Sequence, residues 1–190
     1  MSFISDPNMA KIRFEELIDI KELTTLFEHF HKATSYLVGL IDLEGNVLIG
    51  NGWQEMCTEF HRKHPKTPDH CRKSDLSFKG DISQKKYHFN KCNNGLIDLA
   101  IPIKIEGIHL ANLFFGQFYW KGEKPSEKDI RQAAKKYGFN EQHYVEAFRK
   151  VPCYDKAEIE SLVNFYKSMV NMITTMGSAN LKLKYSSEFL

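Results

Sequence analysis

No stretch of this 190-residue sequence is apolar for long enough to cross a membrane. The segment from Met1 to Arg13 also lacks the apolar core of a secretory leader. Both absences point to the cytoplasm, where cysteines stay reduced. Cysteine is scarce in any case: the four residues Cys57, Cys71, Cys92 and Cys153 are too few and too widely spaced for a disulfide framework. An excess of one charge is missing too. Lys and Arg number 26 against 24 Asp and Glu, for a net charge of +2, and the lysines are scattered. That balance removes direct nucleic-acid contact and anionic membranes from the expected partners. The sequence contains no glycine-rich phosphate loop, no G-x-S-x-G, no H-E-x-x-H and no C-x-x-C-H. Cys57 and His61 can be imagined as nucleophile and base, but nothing supplies an oxyanion element at a recognisable spacing. The expectation is therefore a protein that is not an enzyme. Internal repeats and low-complexity tracts are absent as well.

What is present is apolar and aromatic. Hydrophobic residues make up 42% of the chain and aromatics 13%, with 14 Phe and 8 Tyr, which is enough for a packed core. Residues 1–11 read as a flexible lead-in. From Phe14 to Phe30 apolar residues recur at helical spacing, and Asp19 with Glu22 offers a local cap. Leu37 to Asp42 and Val47 to Gly50 read as a short hairpin around Glu44-Gly45-Asn46. Helical composition follows from Trp53 to His64, and again from Asp69 to Phe78. Tyr87 to Cys92, Leu96 to Ile105 and Ile108 to Trp120 read as three antiparallel strands, turning at Asn93-Asn94-Gly95 and Glu106-Gly107. Ser126 with Asp129 opens a helix that Gly138 stops, a second spans Glu141 to Lys150, and a third runs from Asp155 to Gly177. The predicted fold class is α+β: a five-stranded antiparallel PAS-like sheet flanked by helices, with further helices at both ends. One domain is expected over 12–177, with 178–190 a polar tail or linker to a missing output module.

Three stretches carry a family likeness. The first holds Gly52-Trp53-Gln54, Cys57, Phe60-His61-Arg62, Pro65, Thr67, Cys71 and Ser74-Asp75. The second holds Cys92, Asn94-Gly95-Leu96, Asp98, Pro102-Ile103, Gly107, His109, Ala111-Asn112 and Gly116-Gln117-Phe118. The third holds Ala134, Tyr137-Gly138-Phe139, Tyr144, Ala147 and Val151-Pro152. In that order they resemble the PocR sensory domain. The resemblance implies a PAS-like fold and a ligand-sensing role ahead of a histidine kinase, DNA-binding or cyclic-nucleotide output module. It also implies a small organic ligand, such as a short diol, alcohol or related hydrocarbon derivative.

Candidate binding residues are Trp53, Cys57, Phe60, His61, Cys92, Asp98, Phe115 and Gln117. Trp53 and Phe60 offer apolar wall and Cys57 and His61 polar handles, as small-ligand sites require; the alternative is an amphipathic helix packing its aromatic face on the sheet. Asp98 interrupts the apolar run Leu96 to Ile101 and shares a face with Leu96 and Ala100 by strand alternation, so it faces either a pocket or solvent. The Gln117 amide can donate and accept, and Phe115 and Gln117 share parity. Cys57, His61, Cys71 and Cys92 are a candidate zinc set without a C-x-x-C knuckle; the alternative is buried free cysteine. A haem- or metal-dependent redox or gas sensor using His61 and the cysteines is the competing function, although no cofactor is expected. Finally, Ile159, Leu162, Tyr166, Met169, Ile173 and Met176 are spaced 3, 4, 3, 4, 3, the seam either of a dimerising signal helix or of a helix packed on its own domain.

Overall fold

The computed structural model describes residues 12–65, 67–76 and 87–187. The expected lead-in over 1–11 lies outside the described residues. A 3₁₀ turn at Phe14–Glu16 precedes helix α1 (Ile20–Thr34). Asp19 caps α1, its carboxylate accepting from the amides of Lys21 and Glu22. Strands β1 (Val38–Asp42) and β2 (Val47–Asn51) form the short hairpin. A π-helical turn (Met56–His61) and helix α2 (Pro68–Leu76) lead to β3 (His88–Lys91), β4 (Ile97–Ile105) and β5 (Ile108–Trp120). Helices α3 (Glu127–Tyr137) and α4 (Glu141–Lys150) follow, then a two-residue strand β6 (Cys153–Tyr154) and the long helix α5 (Lys156–Ser187).

The sheet order is β2-β1-β5-β4-β3, every neighbour antiparallel, which is the PAS-like arrangement. β6 joins β5 in parallel as a sixth, unexpected strand. One sheet face carries Leu40, Leu99, Ile101, Leu113 and Phe115, all nearly inaccessible, and packs on α1 and α5. The other carries Gly39, Ile41, Asp98, Ala100, Phe114 and Gly116 beneath the segment from Trp53 to α2. A second core beyond that segment joins the π-helical turn to α3 and α4 through Leu96, Tyr119, Tyr144 and Phe148.

Two expectations change at α5. The seam residues Ile159, Leu162, Tyr166, Met169 and Ile173 are buried in the domain's own core, and only Met176 stands exposed. They hold α5 to the sheet and are not free to pair with another chain. Gly177 also does not end the helix. A Cβ there would sit 2.2 Å from Ile105 Cδ1, so the glycine marks close approach of α5 to the end of β4. The helix continues, buries Leu181 and bonds Asn180 Nδ2 to the Leu17 carbonyl at 2.8 Å. The expected loose tail from 178 is thus helical up to Ser187.

Candidate functional site

Between the second sheet face and the Trp53–α2 cover lies a small cavity of about 30 Å³. Its wall includes Trp53, Cys57, Cys92, Asp98 and Gln117. Phe60, His61 and Phe115 are placed elsewhere. Phe60 stacks edge-on with Phe139 and Tyr144 in the second core. His61 bonds Tyr144 Oη through Nε2 at 2.7 Å, and burial pushes its pKa down to about 4, so the ring is neutral. The expected Cys57–His61 face assumes α-helical phase. Here the Arg62 amide reaches the Cys57 carbonyl five residues back, and that wide turn rotates His61 to the aromatic side. Phe115 lies in the α5-side core against Tyr166 and Tyr154.

A β-bulge separates Phe115 from Gln117. Ile97 pairs with Phe118 and Asp98 with Gly116, which leaves Gln117 as the extra residue, at φ 59°. The expected shared parity therefore fails, and the bulge turns Gln117 into the cavity. The Gln117 amide N–H donates to Asp98 Oδ1 at 3.2 Å, and its side-chain Oε1 accepts from the Gln54 amide at 2.6 Å. A Cβ at Gly116 would stand 2.4 Å from Asp98 Oδ1, so only glycine leaves space for that carboxyl. Trp53 lies flat over the paired Gly39 and Gly50, its Nε1 within 3.2 Å of where either Cβ would be.

The remaining polar wall was not singled out from the sequence. Arg62 pairs with Asp75 at 2.9 Å and lays its guanidinium over the Trp53 ring, 4.5 Å from its centre. Asn94, in the β3–β4 turn, donates to Cys71 Sγ at 3.5 Å. Buried and without a hydrogen-bond partner among the described residues are Arg62 Nε, Asn94 Oδ1 and Trp53 Nε1. Arg62, Asp75 and Asn94 all fall within the stretches that carry the family likeness; their charge or amide at a predicted helix end or turn was the available signal.

Burial sets the electrostatics. It raises the Asp98 pKa to about 7, helped by nearby Asp75 and opposed by the Gln117 amide and Arg62. Arg62 and Asp75 neutralise one another across the wall. Burial lifts the Cys92 thiol to about 12 and raises those of Cys57 and Cys71. The three cavity cysteines are therefore protonated thiols at neutral pH and not activated nucleophiles. Among the described residues no group of three or more His, Cys, Asp or Glu side chains is placed to hold a metal ion, so the structure does not assemble the zinc set Cys57, His61, Cys71 and Cys92. Cys153 lies exposed in β6.

The fold is thus a PAS-like sheet with a small, mixed-polarity cavity under one face. The family described as the sensory domain found in PocR matches residues 16–178, most of the chain, and the chain belongs to that family. No curated protein and no solved structure matches it. A sensing role is what membership supports. No helix among the described residues is long and apolar enough to cross a membrane.

Proposed function

We propose that the chain is the small-molecule-sensing domain of a signal-transduction protein, a histidine kinase or a transcriptional regulator. Its cavity takes a short uncharged hydroxyl compound, a diol or alcohol, and turns nothing over. The observation that carries this is the state of the wall. Among the described residues its one cation, Arg62, is already matched by Asp75, and Asp98 is close to half-protonated at neutral pH. No positive charge is left over to hold an acid, and the protonated fraction of Asp98 can donate to a hydroxyl oxygen. What remains is unengaged donor and acceptor capacity, Arg62 Nε and Asn94 Oδ1, beside the apolar surfaces of Ile41, Leu96 and Phe114. A hydroxyl both donates and accepts and satisfies such a wall without a charge.

Two short paths lead from this cavity to α5. Tyr166 on α5 donates its hydroxyl to the carbonyl of cavity residue Leu37 at 2.6 Å. Just past the Gln117 bulge, the Tyr119 amide bonds the Pro152 carbonyl and Trp120 pairs with Tyr154, after which Asp155 caps α5. A ligand that favours one setting of Leu37 or of the bulge biases α5 by its difference in affinity for the two settings.

The test is a thermal-shift and calorimetric screen of short diols and alcohols, with lactate and methylamine as charged comparators. Uncharged hydroxyl compounds should raise the melting temperature with concentration, by about 2.7 kcal/mol of added stability at a hundredfold excess over Kd. Gln117→Ala should abolish the shift. A shift produced by the acid or the amine and by no alcohol would overturn the ligand class; no shift from any of them would overturn the sensing cavity.

A further inference from the structure

Seven large apolar side chains stand exposed among the described residues, and five of them, Leu26, Phe165, Met172, Met176 and Leu183, belong to α1 and α5. The four on α5 form one line. At 3.6 residues per turn they point within about 20° of a common direction over about 27 Å of helix. Phe165 stacks on Phe30 of α1 at 5.2 Å, and beyond it a groove of about 440 Å³ runs between the two helices. The α5 side of the face is also almost without charge, while Asp19 and Glu22 of α1 border the groove. From Ser161 to Leu181 the single charged residue is Lys167, whose ammonium lies 4.4 Å from the Tyr87 ring centre, against β3.

We infer that this α1–α5 face pairs with the same face of a second copy about a twofold axis. A twofold contact sets each patch against itself, so charged patches of one sign repel and an uncharged apolar one does not. Each copy offers both halves of the fit, a ridge of Met172 and Met176 and the groove beside it. At about 200 Å² for a fully exposed large apolar side chain, the five leave roughly 600 Å² bare, close to the ~800 Å² per partner of a standard interface. A membrane surface is the poorer occupant, because an interfacial helix carries a lysine- and arginine-rich polar face that α5 lacks over this stretch. The pairing seam thus shares only Met176 with the 3-4 seam seen in the sequence, whose other residues face inward. The pairing rests on the sensor reading only for its purpose, since it brings two α5 helices together where each leaves its sheet.

Sedimentation and light scattering on the full 190-residue chain test it. The wild type should be a dimer at micromolar concentration. Met172→Glu with Met176→Glu, both at exposed positions, should weaken the dimer by roughly 100-fold or more through uncompensated charge, with the monomer's circular dichroism unchanged. A wild type that stays monomeric, or a dimer indifferent to the double substitution, overturns the inference. The alcohol screen repeated on the double variant keeps the two readings separate: a monomer that still responds leaves the cavity reading intact.

Discussion

Replacing Asp98 by Asn removes one ionisable group from the cavity and little else, because the Asn carbonyl can still accept the Gln117 amide. The wild-type carboxyl has its pKa raised from 3.8 to about 7 by burial. Between those values the folded chain holds a proton that the unfolded chain has released. Stability therefore falls as pH rises through that window and levels off above it. At about 1.4 kcal/mol per pKa unit the ceiling is ~4 kcal/mol, and partial contact of the side chain with the cavity lowers the expected value to roughly 2–3 kcal/mol. His61 acts in the opposite sense. Its pKa of about 4 makes stability rise with pH up to its ordinary value of 6.5. The measurement is accordingly a difference: urea unfolding followed by circular dichroism from about pH 4.5 to pH 8, for wild type and Asp98→Asn side by side, so that contributions common to both cancel. The variant should gain roughly 2–3 kcal/mol on the wild type across that range, nearly all of it below pH 7.5. Two parallel curves would refute the argument, and would mean that Asp98 ionises freely in contact with water.

Gly116→Ala forces a methyl to within 2.8 Å of the Asp98 Cα as well as its carboxyl, and should cost about 1–3 kcal/mol in urea unfolding while abolishing any alcohol response. Tyr166→Phe leaves the buried Leu37 carbonyl without its donor, so a loss of about 1–3 kcal/mol is expected by the same assay, with ligand affinity altered although residue 166 lies outside the cavity wall. Asp19→Ala removes the cap of α1 and should lower stability by about 1 kcal/mol, with no effect on ligand binding.

The fold was readable where local chemistry decides it. Asp19 and Ser126 cap their helices, Gly138 ends α3 at φ 73°, and the apolar runs of β4 and β5 form the central strands. What escaped the sequence depends on partners distant in the chain. Gly177 looks like a helix stop, and only the position of Ile105 shows it to be a contact. β6 is two residues long and exists only because β5 lies beside it. In the site, Asp98 lies on the face with Leu96 and Ala100, because its strand keeps alternation there. Phe115 and Gln117 went astray because one extra residue inverts alternation and leaves no mark in composition. Arg62 and Asp75 become a wall only when the π-helical turn and α2 fold over the same sheet face.

The bulge at Gln117 also fixes what kinds of change this segment can absorb over generations. Swapping the side chain there alters the lining of one small space. Removing the residue would do something different in kind. It would close the bulge: Phe118 would still face Ile97 and β6 would keep its match to Tyr119 and Trp120, but the cavity wall would lose Gln117 and the two hydrogen bonds that tie Asp98 and Gln54 to it. In an alignment of relatives that keep this cavity, the extra residue should be retained together with Gly116 and Asp98.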